Sequence, residues 1–156
     1  SQMSQKTNQF NLTTKRYAET DVKQFVEEPE CDILAFSVTD KFGDNGLSGL
    51  CVLKLDQDAC EGKIDTLLMS CRVIGRGAED AFLAALTQEV SKHNIGLVAR
   101  YVPTRKNSLV EDFLPRCGLK LIATGESCSN YALGADALPL TTPAHVHLVN
   151  KLADHE

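Results

Sequence analysis

The sequence predicts a mixed α/β fold, with a central mixed sheet and helices on both faces. Three observations carry this. Residues 32–40, 49–55 and 63–71 are apolar, β-branched runs separated by turn residues, the pattern of an antiparallel meander. The last run passes directly into a glycine-punctuated turn and then into an amphipathic helix. After that helix, strand-like and helix-like segments alternate, as in crossover units.

Taken in order, residues 6–15 are polar, with Phe10 and Leu12 at alternating positions. They read as a first strand or as an interdomain linker. Thr20 or Asp21 can cap a short helix with Val22, Phe25 and Val26 on one face, and Pro29 ends it. The strand at 32–40 leads to Phe42-Gly43-Asp44-Asn45-Gly46, where Asn45-Gly46 is a hairpin signal. Residues 49–55 return, and the loop at 56–62 leads into the strand at 63–71. From Gly77, the residues Ala78, Ala81, Phe82, Ala85, Leu86 and Val90 form a helical stripe, opposed by Glu79, Asp80, Gln88 and Lys92. Asn94 and Gly96 stop the helix. Residues 96–102 are an apolar strand closed by Pro103. A second helical pattern begins at Asn107, with Val110, Phe113, Leu114 and Cys117 on one face. Pro115 predicts a kink or an early end there. Residues 119–123 and 129–133 are two further strands. In the tail, His145-Val146-His147-Leu148 can extend a strand or dock as a short helix.

The chain of 156 residues has the length of one domain with a sizeable core. Its formal net charge of −5 argues against a general nucleic-acid or membrane-surface binder, which would carry a basic patch. Arg72, Arg76, Arg100, Arg105, Lys106 and Arg116 nevertheless fall around two candidate ligand turns. The six cysteines form no C-x-x-C and lie at no metal-ligand spacing from histidine, so no metal site is expected. They read as reduced thiols of a cytoplasmic protein. No signal peptide and no membrane-length apolar run is evident. Ser1-Gln2-Met3 resembles a tag remnant or cut site. Residues 1–5 are therefore expected to be tag or linker, and 6–156 a single domain excised from a longer protein.

The chemistry centres on Arg72-x-x-Gly75-x-Gly77. Free backbone N–H groups at a helix start, flanked by arginines, attract phosphate. The spacing resembles the pyrophosphate-binding signature of the GNAT acyltransferases, (Gln/Arg)-x-x-Gly-x-(Gly/Ala). Asn107-x-x-Val110-x-x-Phe113-Leu114-x-x-x-Gly118-Leu119 resembles a second motif of that family, and the element order matches its fold. The resemblance implies that parallel strands splay at residues 69–71 and 97–101, so that a pantetheine chain pairs in the gap as a pseudo-strand. It makes Met69, Cys71, Arg72, Val73, Ile74, Gly75, Arg76 and Gly77 candidate binders of phosphopantetheine or coenzyme A. Thr104, Lys106 and Asn107 are candidates to contact pantetheine or acyl oxygens. Asn107 is also expected to cap its helix.

A narrower resemblance runs from about Lys6 to Leu133. Lys6-Thr7-Asn8-Gln9-Phe10-Asn11-Leu12-Thr13-Thr14, Phe42-Gly43-Asp44-Asn45-Gly46, Ile64-Asp65-Thr66-Leu67-Leu68-Met69-Ser70-Cys71-Arg72-Val73-Ile74-Gly75-Arg76-Gly77 and Tyr101-Val102-Pro103-Thr104-Arg105-Lys106-Asn107 are similar to the C-terminal domain of FkbH-like proteins. In that family a HAD-like domain precedes the GNAT-like one. The whole protein loads a glyceryl group as a thioester onto an acyl carrier protein in methoxymalonyl-ACP biosynthesis. The resemblance implies a carrier protein and a HAD-like domain, of the same or a partner chain, as partners.

Asp65 and Cys71 are the catalytic candidates. On one strand without a bulge their side chains share a face. Asp65 can act as a base or orient a donor, or equally cap a loop at the strand start. Cys71, beside Arg72 and near a helix start, can carry or receive an acyl group or simply fill the core beside the turn. Leu114 stands where many GNAT enzymes have a tyrosine acid, so amine acetylation by that route is in doubt. Three functions stay open: an acyltransferase domain, a non-catalytic module that binds the carrier arm, and a free-standing acetyl-CoA-dependent N-acetyltransferase.

Overall fold

The structure is a computed structural model, and it describes residues 1–149 and 151. A short helix α1 (Gln2–Lys6) and a two-residue strand β1 (Phe10–Asn11) precede helix α2 (Glu19–Glu27). The meander follows as β2 (Cys31–Asp40), β3 (Gly43–Asp56) and β4 (Glu61–Met69). A 3-10 turn (Cys71–Val73) leads to α3 (Ala78–Ser91) and β5 (Gly96–Tyr101). A second 3-10 turn (Ser108–Val110), α4 (Phe113–Arg116), β6 (Lys120–Thr124) and β7 (Ser129–Leu133) complete the order. The sheet has seven strands in the order β2-β3-β4-β5-β7-β6, with β1 paired to β4 off this path. The expected mixed sheet is present.

Helices cover both faces, for reasons the side chains make plain. On one face α2 sets Val22 and Phe25 against Tyr17, Cys31 and Val52. On the other, Phe82, Leu83, Leu86 and Val90 of α3 and Phe113 and Leu114 of α4 share one core with Leu53, Ile64, Leu67 and Leu97. Phe36 stacks on Phe82 with ring centroids 4.1 Å apart, and Phe10 meets Phe113 edge-on at 5.0 Å. α3 is buried over more than its apolar stripe. The tail crosses its outer side, and the Leu140 N–H donates to Thr87 Oγ1 at 2.9 Å. Glu79, expected on the solvent face, is buried as well.

Several local expectations change. α2 begins at Glu19, and Asp21 accepts the Ala18 N–H at 2.8 Å, so Asp21 closes the first turn from inside the helix. The β2–β3 hairpin closes at Lys41-Phe42, where Asp40 pairs with Gly43. Asn45-Gly46 lies within β3 instead. Ser37 pairs with Leu47 and Thr39 with Asp44, so two residues there oppose Val38 alone, a bulge in which Gly46 takes φ +66°. The helix from Asn107 breaks into two short pieces. With the break at 111–112, Pro115 falls in the first turn of α4, where its missing N–H costs nothing. His145–Leu148 form neither strand nor helix.

Two corrections bear on the site. β4 ends at Met69, short of Cys71. It is also bulged: Val52 opposes Thr66 while Leu53 opposes Ile64, which leaves Asp65 as the extra residue. The strand geometry that would align Asp65 with Cys71 is therefore absent.

Candidate functional site

The turn between β4 and α3 opens a long helix that carries no side-chain cap. Ser70 starts the 3-10 turn by accepting the Arg72 N–H on its side chain. Gly75 and Gly77 then take left-handed φ of +82° and +81°, which residues with a Cβ adopt only at a cost. These glycines turn the chain so that α3 starts with no side-chain cap. Among the described residues the N–H groups of Gly77, Ala78, Glu79 and Asp80 have no hydrogen-bond partner, and Ala81 is the first to bond back, to the Gly77 carbonyl at 3.0 Å. Four unpaired donors at the positive end of a helix of 14 residues favour an anion.

The flanking arginines differ. Arg72 uses Nε on Ser70 Oγ at 3.3 Å, and its terminal nitrogens are unpaired among the described residues. Arg76 is held in an ion pair with Asp40. Two of the chain's own groups also reach the turn. Glu79 Oε1 accepts the Gly75 N–H at 3.2 Å, and its Oε2 is buried without a partner among the described residues. His145 Nε2 lies 2.8 Å from the Arg76 carbonyl, and a Cβ on Gly77 would sit 2.6 Å from that nitrogen. The tail thus packs against the helix start as irregular chain, in neither of the two forms expected for it.

Beyond Ile64–Ala99, where β4 and β5 are still paired in parallel, the two strands part. The gap expected to admit a pantetheine chain is filled by residues 10–12. Phe10 pairs with Met69 and Asn11 with Leu68. The Leu12 N–H donates to the Leu67 carbonyl at 3.1 Å, and the Val102 N–H donates to the Leu12 carbonyl at 2.8 Å. Phe10 and Leu12 are 2% and 0% exposed and belong to the main core. Withdrawing both side chains from it costs about 3–6 kcal/mol, against about 8 kcal/mol for the whole of a micromolar affinity.

Two candidate site residues anchor this segment. Asn107 is fully buried, and its side chain is saturated. Nδ2 donates to the carbonyls of Asn11 and Val102, both at 2.9 Å, and Oδ1 accepts from Thr104 N and Oγ1 at 2.7 and 3.1 Å. Contrary to expectation it makes no side-chain cap bond to the turn that follows. Asp65 accepts Lys15 Nζ on Oδ1 and the Tyr17 hydroxyl on Oδ2, both at 2.6 Å. Burial opposes its ionisation, but the bonds from Lys15 and Tyr17 and the charges of Lys15 and Lys54 outweigh it and hold the carboxyl below its usual range. Burial above all, then Asp65, pushes the Tyr17 phenol up.

The remaining candidates spread out. Met69 and Val73 are core residues, whereas Cys71, Arg72 and Arg76 are exposed. Cys71, Arg72, Met69 and Phe10 line a cavity of about 410 Å³ together with Lys6 and Asn8. Thr104 turns its hydroxyl to Asn107, and Lys106 is exposed. Leu114 is buried in the core. Among the described residues no three His, Cys, Asp or Glu side chains gather as a metal site needs, and no helix is long and apolar enough to cross a membrane.

No protein-family model and no curated protein matches this sequence. Solved structures do match it. The ribosomal-protein-S18-alanine N-acetyltransferase of Escherichia coli aligns over 94% of this chain and 90% of its own, with TM-score 0.60 and 12% identity. A protein of Desulfovibrio desulfuricans described as a GNAT-family acetyltransferase aligns over 73% and 76%, with TM-score 0.59 and 15% identity. The fold is that of the GNAT acetyltransferases. A further GNAT-fold match, the PaiA N-acetyltransferase of Thermoplasma acidophilum solved with coenzyme A, aligns over 66% of this chain and 61% of its own, with TM-score 0.51 and 20% identity.

Proposed function

We propose that this GNAT-fold domain binds the phosphate end of a pantetheine-bearing acyl carrier at the start of α3. In this reading it serves the loading of a glyceryl-type acyl group onto an acyl carrier protein, beside a HAD-like domain. The observation that carries the reading is the row of N–H groups from Gly77 to Asp80, unpaired among the described residues, opened by two left-handed glycines and attended by Arg72, whose terminal nitrogens are likewise unpaired among those residues. These amides are the donors a phosphate oxygen would take, with the Glu79 carboxylate and His145 beside them. The arrangement suits holding and presenting the arm better than chemistry on it. Asp65 is committed to Lys15 and Tyr17, and Leu114 offers no proton. Cys71 is the exposed nucleophile closest in sequence to the seat.

A free-standing N-acetyltransferase using acetyl-CoA is the second reading. It is favoured by the alignment over 94% of the chain with the S18-alanine enzyme. Calorimetric titration with coenzyme A, holo-carrier and apo-carrier protein separates the two. Binding of holo- but not apo-carrier is the expected result. Binding of coenzyme A alone supports the acetyltransferase, and binding of none of them overturns the phosphate seat.

A further inference from the structure

We infer that residues 10–12 are a fixed internal strand that closes the fork between β4 and β5, so that a ligand held at the α3 turn keeps its arm outside the sheet. The inference rests on the phosphate-seat reading above for the identity of the ligand, but not for the closure itself.

A fork between parting parallel strands leaves two rows of unpaired backbone groups facing each other, and an extended ligand with amides can pair with both. Here the chain supplies that strand itself. Leu12 alone serves both sides, donating to Leu67 of β4 and accepting from Val102 just past the end of β5. Its neighbours Phe10 and Asn11 continue the ladder to Met69 and Leu68.

The segment is tied down on both sides. On the β5 side the saturated amide of Asn107 holds the Asn11 carbonyl. On the β4 side the bulge at Asp65 receives the next residues in turn. Thr13 Oγ1 donates to the Asp65 carbonyl at 3.1 Å, Lys15 pairs with the carboxylate, and Tyr17 donates to it. Before β1, Arg16 folds back onto the carbonyls of Ser4 and Thr7 and onto the Asn8 side chain, closing the loop that begins at α1. A plug meant to be displaced would be held by few, exposed contacts. Here the bonds from Asn107, Thr13 and Tyr17 are buried, and Phe113 packs edge-on against Phe10.

The consequence is a specificity. A ligand at this domain is recognised by its phosphate and by whatever surface carries that phosphate. Its thiol end gains no backbone pairing in the fork, and Asp65 and Asn107 act as positioning residues that hold the segment.

Hydrogen exchange of the unaltered protein, read at the Leu12 and Val102 amides, tests the closure without any variant. The expected result is exchange as slow as that of the Leu67 and Leu68 amides, unchanged at saturating coenzyme A or 4′-phosphopantetheine. Tenfold faster exchange at Leu12 and Val102 in the free protein, or acceleration there on adding either compound, overturns the closure. A second arm compares pantetheine with 4′-phosphopantetheine by titration. Pantetheine without the phosphate is expected not to bind, and binding of both with equal affinity overturns the inference. Should neither compound bind while the two amides stay slow, the phosphate seat fails and the closed fork stands.

Discussion

The Asn107 side-chain amide donates to the backbone carbonyl of Asn11, 96 positions away in sequence, at 2.9 Å in a fully buried setting. The same nitrogen holds the Val102 carbonyl, so one residue joins the segment inside the fork to the strand beside it. Asn107→Ala leaves two carbonyls and the Thr104 donors without their partner and opens a small void. It is expected to destabilise the domain by about 2–4 kcal/mol, read as a lower midpoint in urea. A loss below about 0.5 kcal/mol would show that the segment does not depend on this amide.

Asp65 gives stability a dependence on acid. Its folded-state pKa lies below the ordinary value, because the Lys15 and Tyr17 bonds and the lysine charges overcome the opposing effect of burial. The unfolded chain therefore binds the proton more readily. The contribution is fully present above about pH 4, near the ordinary Asp value, and is lost as pH falls through the lower folded pKa. Lys15 is 45% exposed on its side chain, which keeps the ion-pair share small and leaves most of the effect to the hydrogen bonds. Asp65→Asn is expected to cost about 1.5–3 kcal/mol at neutral pH. The gap between the two proteins in denaturant titrations should narrow below pH 4. A gap that is constant from pH 7 to pH 3 contradicts this.

The strands, the long helix and the glycine turn were legible because each is local. Alternating β-branched residues, a helical stripe and paired glycines impose their conformations within a few positions. What the sequence hid is long-range. Phe10 and Leu12 show a strand period, but nothing local says that they enter a fork between strands more than fifty residues away. The bulge at Asp65 arises from the pairing of Val52 and Leu53 with β4, so a strict period of two placed Asp65 and Cys71 together when the chain does not. A polar residue in a strand reads equally as a base or as an anchor, and only its partners, Lys15 and Tyr17, decide where it is committed. The packing of His145 onto the α3 start has no sequence signature at all, because a tail without periodicity reports nothing of what it lies against.

Glu79 places a carboxylate against the turn that is proposed to seat a phosphate. Its Oε1 takes the Gly75 N–H, and its Oε2 is buried without a partner among the described residues. Its negative charge at the helix start opposes an arriving anion while also bracing the loop. Glu79→Gln keeps the length and the acceptor and removes the charge. Affinity for 4′-phosphopantetheine is expected to rise about five-fold, the scale of one charge near a helix terminus, with the gain shrinking in high salt. Glu79→Ala removes the brace as well and should gain less. A fall in affinity with Glu79→Gln would mean that the carboxylate helps the ligand bind, through a cation or a proton.

Five of the six cysteines sort by exposure and by the cost of forming a thiolate, and Cys128 is half-buried between them. Cys51 is fully buried, and burial pushes its thiol well above the ordinary range, with the nearby Asp65 charge adding to it. Cys117 is pushed up to about 12, first by burial and then by Asp80, whose carboxylate lies 3.4 Å from its sulfur. Cys31 is buried and raised for the same leading reason. Cys60 and Cys71 are exposed. Because the thiolate is the reactive form, Cys60 and Cys71 are expected to be alkylated first in the native protein, with Cys31, Cys51 and Cys117 protected until denaturant is added. Mass spectrometry of peptides after timed labelling measures this directly. Labelling of Cys51 as fast as Cys71 would mean that the sheet opens on the time scale of the reaction. Slower labelling of Cys71 when 4′-phosphopantetheine is present, with Cys60 unaffected, would place the ligand over the turn that Cys71 begins. An unchanged rate at both would place it elsewhere.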